Sequence, residues 1–576
     1  MEGVSFITGL PGLVTACAQI YELTVTARRM GDEGVLLVYK VVIEQAKFQA
    51  WLEDAGWLSD PGPNRSLRPV MQKVIFDTLQ AIKLTLKSLG ALIDKYELDE
   101  GGEVTSLHFA LPDKFWKFAP SASGKSADDR SRIISRRNRI KRLLWAAGDA
   151  QLAKSLIDDL RKFNEDLRAT SGDMQRATFS TLPSRVLPQV LDDDNLKRLI
   201  EASAEGEPDL NRCAAIKKEV LDTIKGGQNP PDPQSPMRRG MTTVVNKEPG
   251  ALASRRLATY SPRGGGQQTV VLEDKSYASN NDEEFTEKRV QEISQILAVT
   301  PKPEKLRILD CLGYVPMRQK GCFTFIYNLP TWADPTRKPI SLAEILPAGP
   351  NSLKKPPLGT RVDLARSLAS SLLLLQACGI LHKGLKPENI VFFRLSPKPE
   401  YDLSRPYIVG FDYARLHMTQ FVSDDLELRE SDLSYAHPAY NFTRSQRYVE
   451  IFDIYSLGIL LLQVGLWKDL FSILKEWAEA DEKETDEKAP TSRVDLQQTI
   501  IHQIRKLEPE VGEIFTRVVA RCVTSDLGNE GLATEINHSA IETFLRELQI
   551  DTSKAHDEVQ RNLERNIVLA LEKCVA

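Results

Sequence analysis

The chain has 576 residues and a mass of 64.6 kDa, more than one hydrophobic core usually serves, so two or more domains are expected. Its 75 Lys and Arg residues nearly balance its 79 Asp and Glu residues, and the net charge of −4 argues against a dedicated nucleic-acid-binding protein. Seven scattered cysteines without paired ligand spacing argue against a disulfide scaffold or a bound metal.

The N-terminal stretch from Gly3 to Tyr21 contains no charged residue. It lacks the basic residues that begin a secretory signal, and Pro11 with several Gly and Thr residues makes it a poor membrane span as it stands. The sequence therefore predicts a cytoplasmic protein. Its first helix either belongs to the core or is buried at rest and exposed on activation.

Residues 1–225 predict an all-α helical bundle, because apolar residues recur there every three or four positions. One such stripe comprises Ile75, Leu79, Ile82, Leu86, Leu89 and Ile93. A second comprises Leu152, Leu156, Leu160, Phe163 and Leu167. A stripe with this spacing lies on one face of a helix and packs against neighbouring helices.

The rest of the chain predicts a linker followed by a different fold. Residues 226–268 are rich in Pro, Gly, Ser and Gln, which is typical of a flexible linker. From residue 269 onward, β-prone runs at 269–277 and 322–330 flank a helical pattern, and long helical segments follow. This order predicts a multidomain protein whose C-terminal part, residues 269–576, is an α+β domain with two lobes.

The string LHKGLKPENIVFF at 381–393 resembles the catalytic loop of protein kinases, whose pattern is H-R-D-L-K-P-E-N. His382 and Asn389 match that pattern, but Gly384 stands where kinases carry the Asp that accepts a proton from the attacking hydroxyl. The resemblance implies a bilobal protein-kinase-like fold without this catalytic group.

A second string, YIVGFDYAR at 407–415, resembles the kinase D-F-G motif with its following residues. In this register Gly410 replaces the metal-binding Asp, Phe411 is kept, and Asp412 stands in the Gly position. Because two separate carboxylates are missing, the resemblance implies a pseudokinase without a metal site. Asp412 is not expected to substitute, since its side chain leaves the backbone two positions away.

Other kinase-like positions concern structure and nucleotide. Asp453 in IFDIYSLGILLLQ matches a kinase Asp that braces the catalytic loop. Four residues are candidate contacts for ATP as a structural ligand. Lys275 is the candidate for the strand lysine of the kinase N-lobe and Glu292 for its helix partner, and Lys386 and Asn389 belong to the loop. ATP binding stays an open alternative, and no other cofactor is predicted.

The N-terminal half resembles the fungal HeLo domain, a helical bundle of prion-inhibition and propagation systems and related cell-death proteins. The likeness lies in the strings at 6–31, 43–52 and 141–167. It implies self-association through the bundle and release of the first helix into the plasma membrane. The combination of bundle and pseudokinase also resembles mixed-lineage kinase domain-like protein. The segment Lys125 to Arg142, with eight basic and two acidic residues, suits anionic lipids.

Three hypotheses follow for the function. The first is a non-catalytic signalling protein in fungal cell death or incompatibility. Its pseudokinase binds an upstream signalling protein and controls a membrane-targeting HeLo bundle. The second is a protein-binding scaffold or adaptor without membrane activity. The third is a weak, unconventional Ser/Thr kinase.

Overall fold

The computed structural model describes residues 17, 32–54, 69–96, 150–169, 182–226, 230–240, 244–246, 255–262, 266–277, 283–347, 352–395, 400–411, 414–416, 433–440, 448–481, 493–527 and 552–574. Asp412 and the segment 125–142 lie outside these residues, as does the stretch 3–21 apart from Cys17.

The chain divides into two compact units, Met1–Ala214 and Ala215–Ala576. The division falls inside the helix Pro208–Gly226. The sequence predicts a bundle that ends at residue 225.

Helices make up the described part of the first unit: α1 (Asp32–Asp54), α2 (Pro69–Tyr96), α3 (Ala150–Ala169), α4 (Leu182–Val186), α5 (Asp193–Ser203) and the start of α6 (Pro208–Gly226). Helix α1 contacts α3, α4 and α5, and α2 packs against α3. The predicted helical character of this region is therefore confirmed.

The apolar stripe of α2 is buried, as the sequence predicts. Its members are at most 3% exposed: Ile75, Leu79, Ile82, Leu86 and Leu89. The side chain of Ile93, the last predicted member, lies outside the described residues. This face is the one that a helical period of 3.6 residues aligns toward a neighbouring helix.

The buried face of α3 coincides only in part with the predicted leucine stripe. Leu160 and Leu167 are buried and Leu156 and Phe163 are half-buried, whereas Leu152 is 49% exposed and Ala153 and Ile157 are buried beside the stripe. Asn164 also lies on the buried face: it is 2% exposed and donates from Nδ2 to the backbone oxygen and to Oε2 of Glu44, both at 3.0 Å. A polar residue thus occupies a core position that an apolar pattern does not reveal.

A buried ion pair joins the same region. The Glu44 carboxylate, at 1% exposure, accepts a hydrogen bond from Lys47 Nζ at 2.9 Å, and Lys47 also pairs with Glu207. Burial alone would lower the pKa of Lys47, but the two carboxylates outweigh it and raise that pKa. Lys47 is therefore charged in the folded protein.

The second unit begins with an antiparallel five-stranded sheet in the order β1-β2-β3-β5-β4. Its strands are β1 (Val244–Asn246), β2 (Arg255–Tyr260), β3 (Gln268–Ser276), β4 (Cys311–Met317) and β5 (Cys322–Asn328). One helix, α7 (Glu283–Ala298), follows β3 in the chain and packs against β4.

Two of these strands lie in the stretch 226–268, which the sequence analysis assigns to a flexible linker. Strand β2 pairs with β3 along its whole length, from Arg255 opposite Glu273 to Tyr260 opposite Gln268. The linker prediction is therefore wrong for β1 and β2. Strand pairing is made by backbone groups, so a Gly- and Pro-rich composition nearby does not prevent it.

A mainly helical part completes the second unit, so its predicted α+β composition is confirmed. Its elements are β6 (Ile340–Ser341), α8 (Leu342–Ile345), α9 (Leu358–Ala377), β7 (Ile380–Leu381), β8 (Ile390–Phe392), β9 (Tyr407–Ile408), β10 (Arg415–Leu416), α10 (Glu450–Leu466), α11 (Leu470–Asp481), α12 (Arg493–Ile504), α13 (Glu508–Val511), α14 (Glu513–Thr524), α15 (Thr552–Leu563) and α16 (Leu569–Glu572). Strands β6, β8 and β9 form one small sheet, and β7 pairs with β10.

Helix α10 is the centre of this helical part. It is buried along nearly its whole length and packs against α9 and α14. At Gly458 an added Cβ would lie 2.6 Å from Cys522 Cβ, so only glycine allows α14 to approach this closely. The close approach fixes α10 as the support for the segments that follow β7.

Two leucines of α2 test the packing of the first unit. We expect Leu86→Ala to lower the free energy of unfolding by about 2–5 kcal/mol, because the fully buried side chain leaves a cavity. Leu84→Ala is the matched control and should change stability by no more than about 0.5 kcal/mol, since Leu84 is 63% exposed. Hydrogen exchange of α3 in the full-length protein measures both. Equal loss of protection in the two variants would contradict the assigned packing.

Candidate functional site

The segment resembling the kinase catalytic loop, residues 382–389, is held by a buried carboxylate of α10. Asp453 is fully buried and accepts hydrogen bonds from the backbone N–H groups of His382 at 2.7 Å and Lys383 at 2.9 Å. The Tyr448 hydroxyl donates a third, at 2.8 Å. Lys383 has a left-handed backbone, with φ of 60°. The carboxylate therefore fixes a strained turn at the start of the loop, which is the bracing role that the sequence predicts for Asp453.

His382 is a structural residue in this site. Its Nδ1 accepts the backbone N–H of Gly384 at 3.2 Å, so Nε2 carries the proton that it donates to the Val409 carbonyl at 3.0 Å. The imidazole also meets the Phe411 ring edge-on, with 4.7 Å between centroids. Burial lowers the pKa of His382 to about 4, so the ring is neutral at pH 7. These contacts join the 382–389 loop to the 409–411 segment.

The two glycines that the kinase resemblance aligns with carboxylates have different surroundings. Gly410 has φ of 82°, and a Cβ there would lie 2.4 Å from Asn389 side-chain atoms. At Gly384 the nearest atom to such a Cβ is Asn389 Nδ2 at 3.4 Å, and φ is not positive. A Cβ therefore fits at Gly384, whereas at Gly410 it would strain the left-handed backbone and require the Asn389 side chain to shift. Asp412, the remaining acid of the motif, lies outside the described residues.

Asn389, a candidate contact for nucleotide, uses its amide group within the protein. Its Nδ2 donates to the Gly384 carbonyl at 2.7 Å, and its Oδ1 accepts from Arg255 at 2.6 Å. Its backbone carbonyl accepts the N–H of Val409 at 2.9 Å. Asn389 thus connects the loop, the 409–411 segment and strand β2.

Sequence reasoning missed the charged pair that reaches this loop from the sheet. Arg255 on β2 donates from Nε to Glu273 Oε1 on β3 at 2.7 Å and also donates to the Glu388 carbonyl. The second oxygen of Glu273 accepts the backbone N–H of Gly410 at 3.2 Å. Both charged side chains are largely buried, with 13% exposure for Arg255 and 8% for Glu273.

A signal for Glu273 was present in the sequence. In kinases the lysine of strand β3 ends a V-A-I-K string. Read in that register, Val270-Val271-Leu272-Glu273 places an acid where the lysine stands. Lys275 was the candidate instead because it has the expected residue type. It is buried on the same face of β3 as Glu273, two residues further along the strand.

The other candidate nucleotide residues are placed apart. Glu292 lines a cavity of about 190 Å³ together with residues of α6, α7 and β10, and neither Lys275 nor Asn389 lines it. Burial raises the pKa of Glu292, against the effect of Lys288. Lys386 is half-buried and precedes the short turn that contains Asn389. Within the described ranges, no group of three or more His, Cys, Asp or Glu side chains is arranged to hold a metal ion.

The two glycines permit a direct comparison of the site geometry. We expect Gly410→Ala to cost at least about 2 kcal/mol of unfolding free energy, because its backbone is left-handed and Asn389 occupies the space of the methyl group. Gly384→Ala should cost no more than about 1 kcal/mol. Thermal unfolding of the full-length variants measures the difference. A Gly410→Ala protein as stable as wild type would contradict the backbone conformation.

The brace has a distinct pH dependence. Burial raises the pKa of Asp453 from 3.8 to about 6, against the lowering effect of its three donors. The group therefore contributes stability at low pH that is lost as the pH rises through about 6. We expect Asp453→Asn to cost about 2 kcal/mol more at pH 4.5 than at pH 7, which denaturant unfolding at the two values measures. His382 is present in both proteins, so its titration cancels in the difference. A larger cost at pH 7 would mean that the donors dominate and depress this pKa.

Comparison with known proteins gives two findings. Residues 4–199 match the family model described as HeLo, prion-inhibition and propagation. The sporulation protein kinase mde3 of Schizosaccharomyces pombe (strain 972 / ATCC 24843) is 27% identical over 177 residues, which is 30% of this chain and 31% of that protein. The chain thus spans about a third of the length of this curated relative. The HeLo match suggests signalling in fungal cell death or incompatibility.

Proposed function

We propose that the chain is a non-catalytic signalling protein in which a kinase-like C-terminal unit regulates a membrane-targeting HeLo bundle in fungal programmed cell death or heterokaryon incompatibility. The observation that carries the non-catalytic part is the geometry at Gly410, where the backbone is left-handed and an added Cβ would lie 2.4 Å from the Asn389 side chain. Kinase chemistry needs a carboxylate for magnesium at this position and another at Gly384. Neither position carries one.

Several features support a kinase-like, bilobal fold for the C-terminal unit. A five-stranded antiparallel sheet with one helix precedes a mainly helical part. Asp453 braces the 382–389 loop by its backbone, and Phe411 packs against His382. The partial similarity to a protein named as a kinase agrees with this assignment.

The HeLo match is the support for action at a membrane. On this proposal the protein is cytoplasmic at rest and moves to the plasma membrane when an upstream signalling protein engages the kinase-like unit. Self-association through the bundle would then bring several first helices together. Among the residues that the structure describes, no single helix is long and apolar enough to cross a bilayer. One pair of helices, Glu450–Leu466 with Leu470–Glu476, is together long and apolar enough to do so, but the two are bent by 73° relative to each other.

Dye release from liposomes tests the proposal. We expect residues 1–225, which contain the whole first unit, to release dye from phosphatidylserine-containing vesicles, and the full-length protein to release little. Neutral phosphatidylcholine vesicles should respond weakly, because each Lys or Arg near an anionic surface contributes about 1 kcal/mol.

A matched pair of double variants sharpens this test. Arg136→Gln with Arg137→Gln removes two charges from the basic segment and should raise the protein concentration needed for release by about tenfold or more. Lys154→Gln with Lys162→Gln removes two exposed charges from α3 and should change it little. If neither the fragment nor the full chain releases dye, the scaffold or adaptor hypothesis replaces the membrane proposal.

A further inference from the structure

The proposed function does not explain the charged pair that joins the sheet to the 382–389 loop. Arg255 and Glu273 lie directly opposite each other on β2 and β3. From there the pair reaches two further segments, since Arg255 donates to Asn389 Oδ1 and Glu273 accepts from the Gly410 N–H. We call this set of contacts the Arg255–Glu273 clasp.

We propose that the clasp takes the place of nucleotide and metal, so that the kinase-like unit is closed by its own ion pair and binds neither ligand. The inference rests on the kinase-like part of the proposed function and not on membrane activity. It concerns the second unit alone.

The residues present do not fit a magnesium ion. Magnesium requires oxygen ligands, and the kinase site supplies them from the D-F-G Asp and the loop Asn. Gly410 has no side-chain oxygen, and the Oδ1 atom of Asn389 accepts a hydrogen bond from a guanidinium 2.6 Å away. A divalent cation at this atom would meet the positive charge of Arg255.

A triphosphate does not fit either. The strand lysine of kinases attracts the α- and β-phosphates, whereas Glu273 in that register repels them. One carboxylate oxygen of Glu273 is held by Arg255 at 2.7 Å and the other by the Gly410 N–H at 3.2 Å. Both charges are thus compensated by the protein, so an added anion gains little from Arg255 and is opposed by Glu273.

The same contacts connect segments that a ligand connects in a kinase. The guanidinium joins β2 to Glu388 and Asn389, and the carboxylate joins β3 to Gly410. Removing one partner leaves the other charge buried without compensation, so the contacts are expected to open together. Closure of the sheet onto the loop is then set by the chain's own charges.

A neighbouring ion pair supplies a control. Arg256 on β2 donates to both carboxylate oxygens of Asp274 on β3, at 2.6 and 3.0 Å. The pair lies one residue along each strand, and Asp274 also accepts from the Thr324 hydroxyl of β5 at 2.6 Å. These three hydrogen bonds all join strands of the sheet. Arg256→Met should therefore weaken the sheet without affecting the 382–389 loop.

Hydrogen exchange of the full-length protein tests the clasp. We expect Arg255→Met to reduce amide protection in peptides covering 384–392 and 407–411 by at least tenfold, and Arg256→Met to leave those peptides unchanged. Glu273→Gln, which keeps the shape and removes the charge, is the second variant and should lower protection of the same peptides. Unchanged protection in both clasp variants, or equal loss in Arg256→Met, would overturn the proposal.

An exchange of charges separates the clasp from a simple strand pair. The double variant Arg255→Glu with Glu273→Arg keeps opposite charges on β2 and β3. An arginine at 273 cannot accept from the Gly410 N–H, and a glutamate at 255 cannot donate to Asn389 Oδ1. We expect the exchanged protein to keep wild-type protection in 268–276 and to lose protection in 384–392. Wild-type protection in both regions would show that the pair acts only as a contact between strands, which would contradict the proposal.

A second experiment tests ligand binding: the unfolding temperature of the full-length protein is measured with millimolar ATP, with and without Mg²⁺. We expect no rise in the unfolding temperature of the wild-type protein. A concentration-dependent rise in the wild type would overturn the inference, whatever the liposome experiment shows. If the fragment releases dye and ATP also raises the unfolding temperature, the proposed function stands and the inference about the clasp is wrong.

Discussion

The buried Asp453 carboxylate accepts hydrogen bonds from two consecutive backbone N–H groups, and the rest of the site in the second unit depends on this contact. It holds His382 and Lys383 in a turn that has a left-handed residue. The fixed turn directs the His382 ring toward Val409 and Phe411, which places Gly410 against Asn389. Helix α10 supplies Asp453, and its own position is fixed by the close packing at Gly458. The order of dependence therefore runs from a helix core to a loop and then to the site.

In the part of the site that the structure describes, several side chains hold the backbone, whereas the two positions that resemble catalytic ones are glycines. Asp453, His382 and Phe411 have contacts that need no ligand, whereas Gly384 and Gly410 offer no functional group. Structural and chemical roles are thus separable in one short stretch of chain. This division agrees with the proposed non-catalytic, regulatory function, which needs a fixed backbone and no phosphoryl transfer.

The sequence was informative where one residue type has one role. Strands β3 and β5, helix α7 and the Asp453 brace follow from local patterns, and so do the replacements at Gly384 and Gly410. It was uninformative where a position depends on a distant partner. The burial of Asn164 depends on Glu44, which lies 120 residues away, so the leucine stripe located the buried face of α3 only in part. Glu273 was overlooked because a lysine was sought, and Arg255 because its strand lay in a stretch that resembled a linker.

The left-handed backbone at Gly410 also bears on the history of this protein. An aspartate at that position alone would carry an unfavourable φ and collide with Asn389, while Glu273 and Arg255 would still hold the surrounding space. If the chain is non-catalytic as proposed, a gain of kinase activity therefore requires coordinated changes at several positions, and an aspartate at Gly410 lowers stability before any activity is gained. Selection acting one substitution at a time does not favour that route. On the proposed non-catalytic function, this barrier to single substitutions acts as an evolutionary ratchet, which leaves binding and signalling as the properties that single changes can alter.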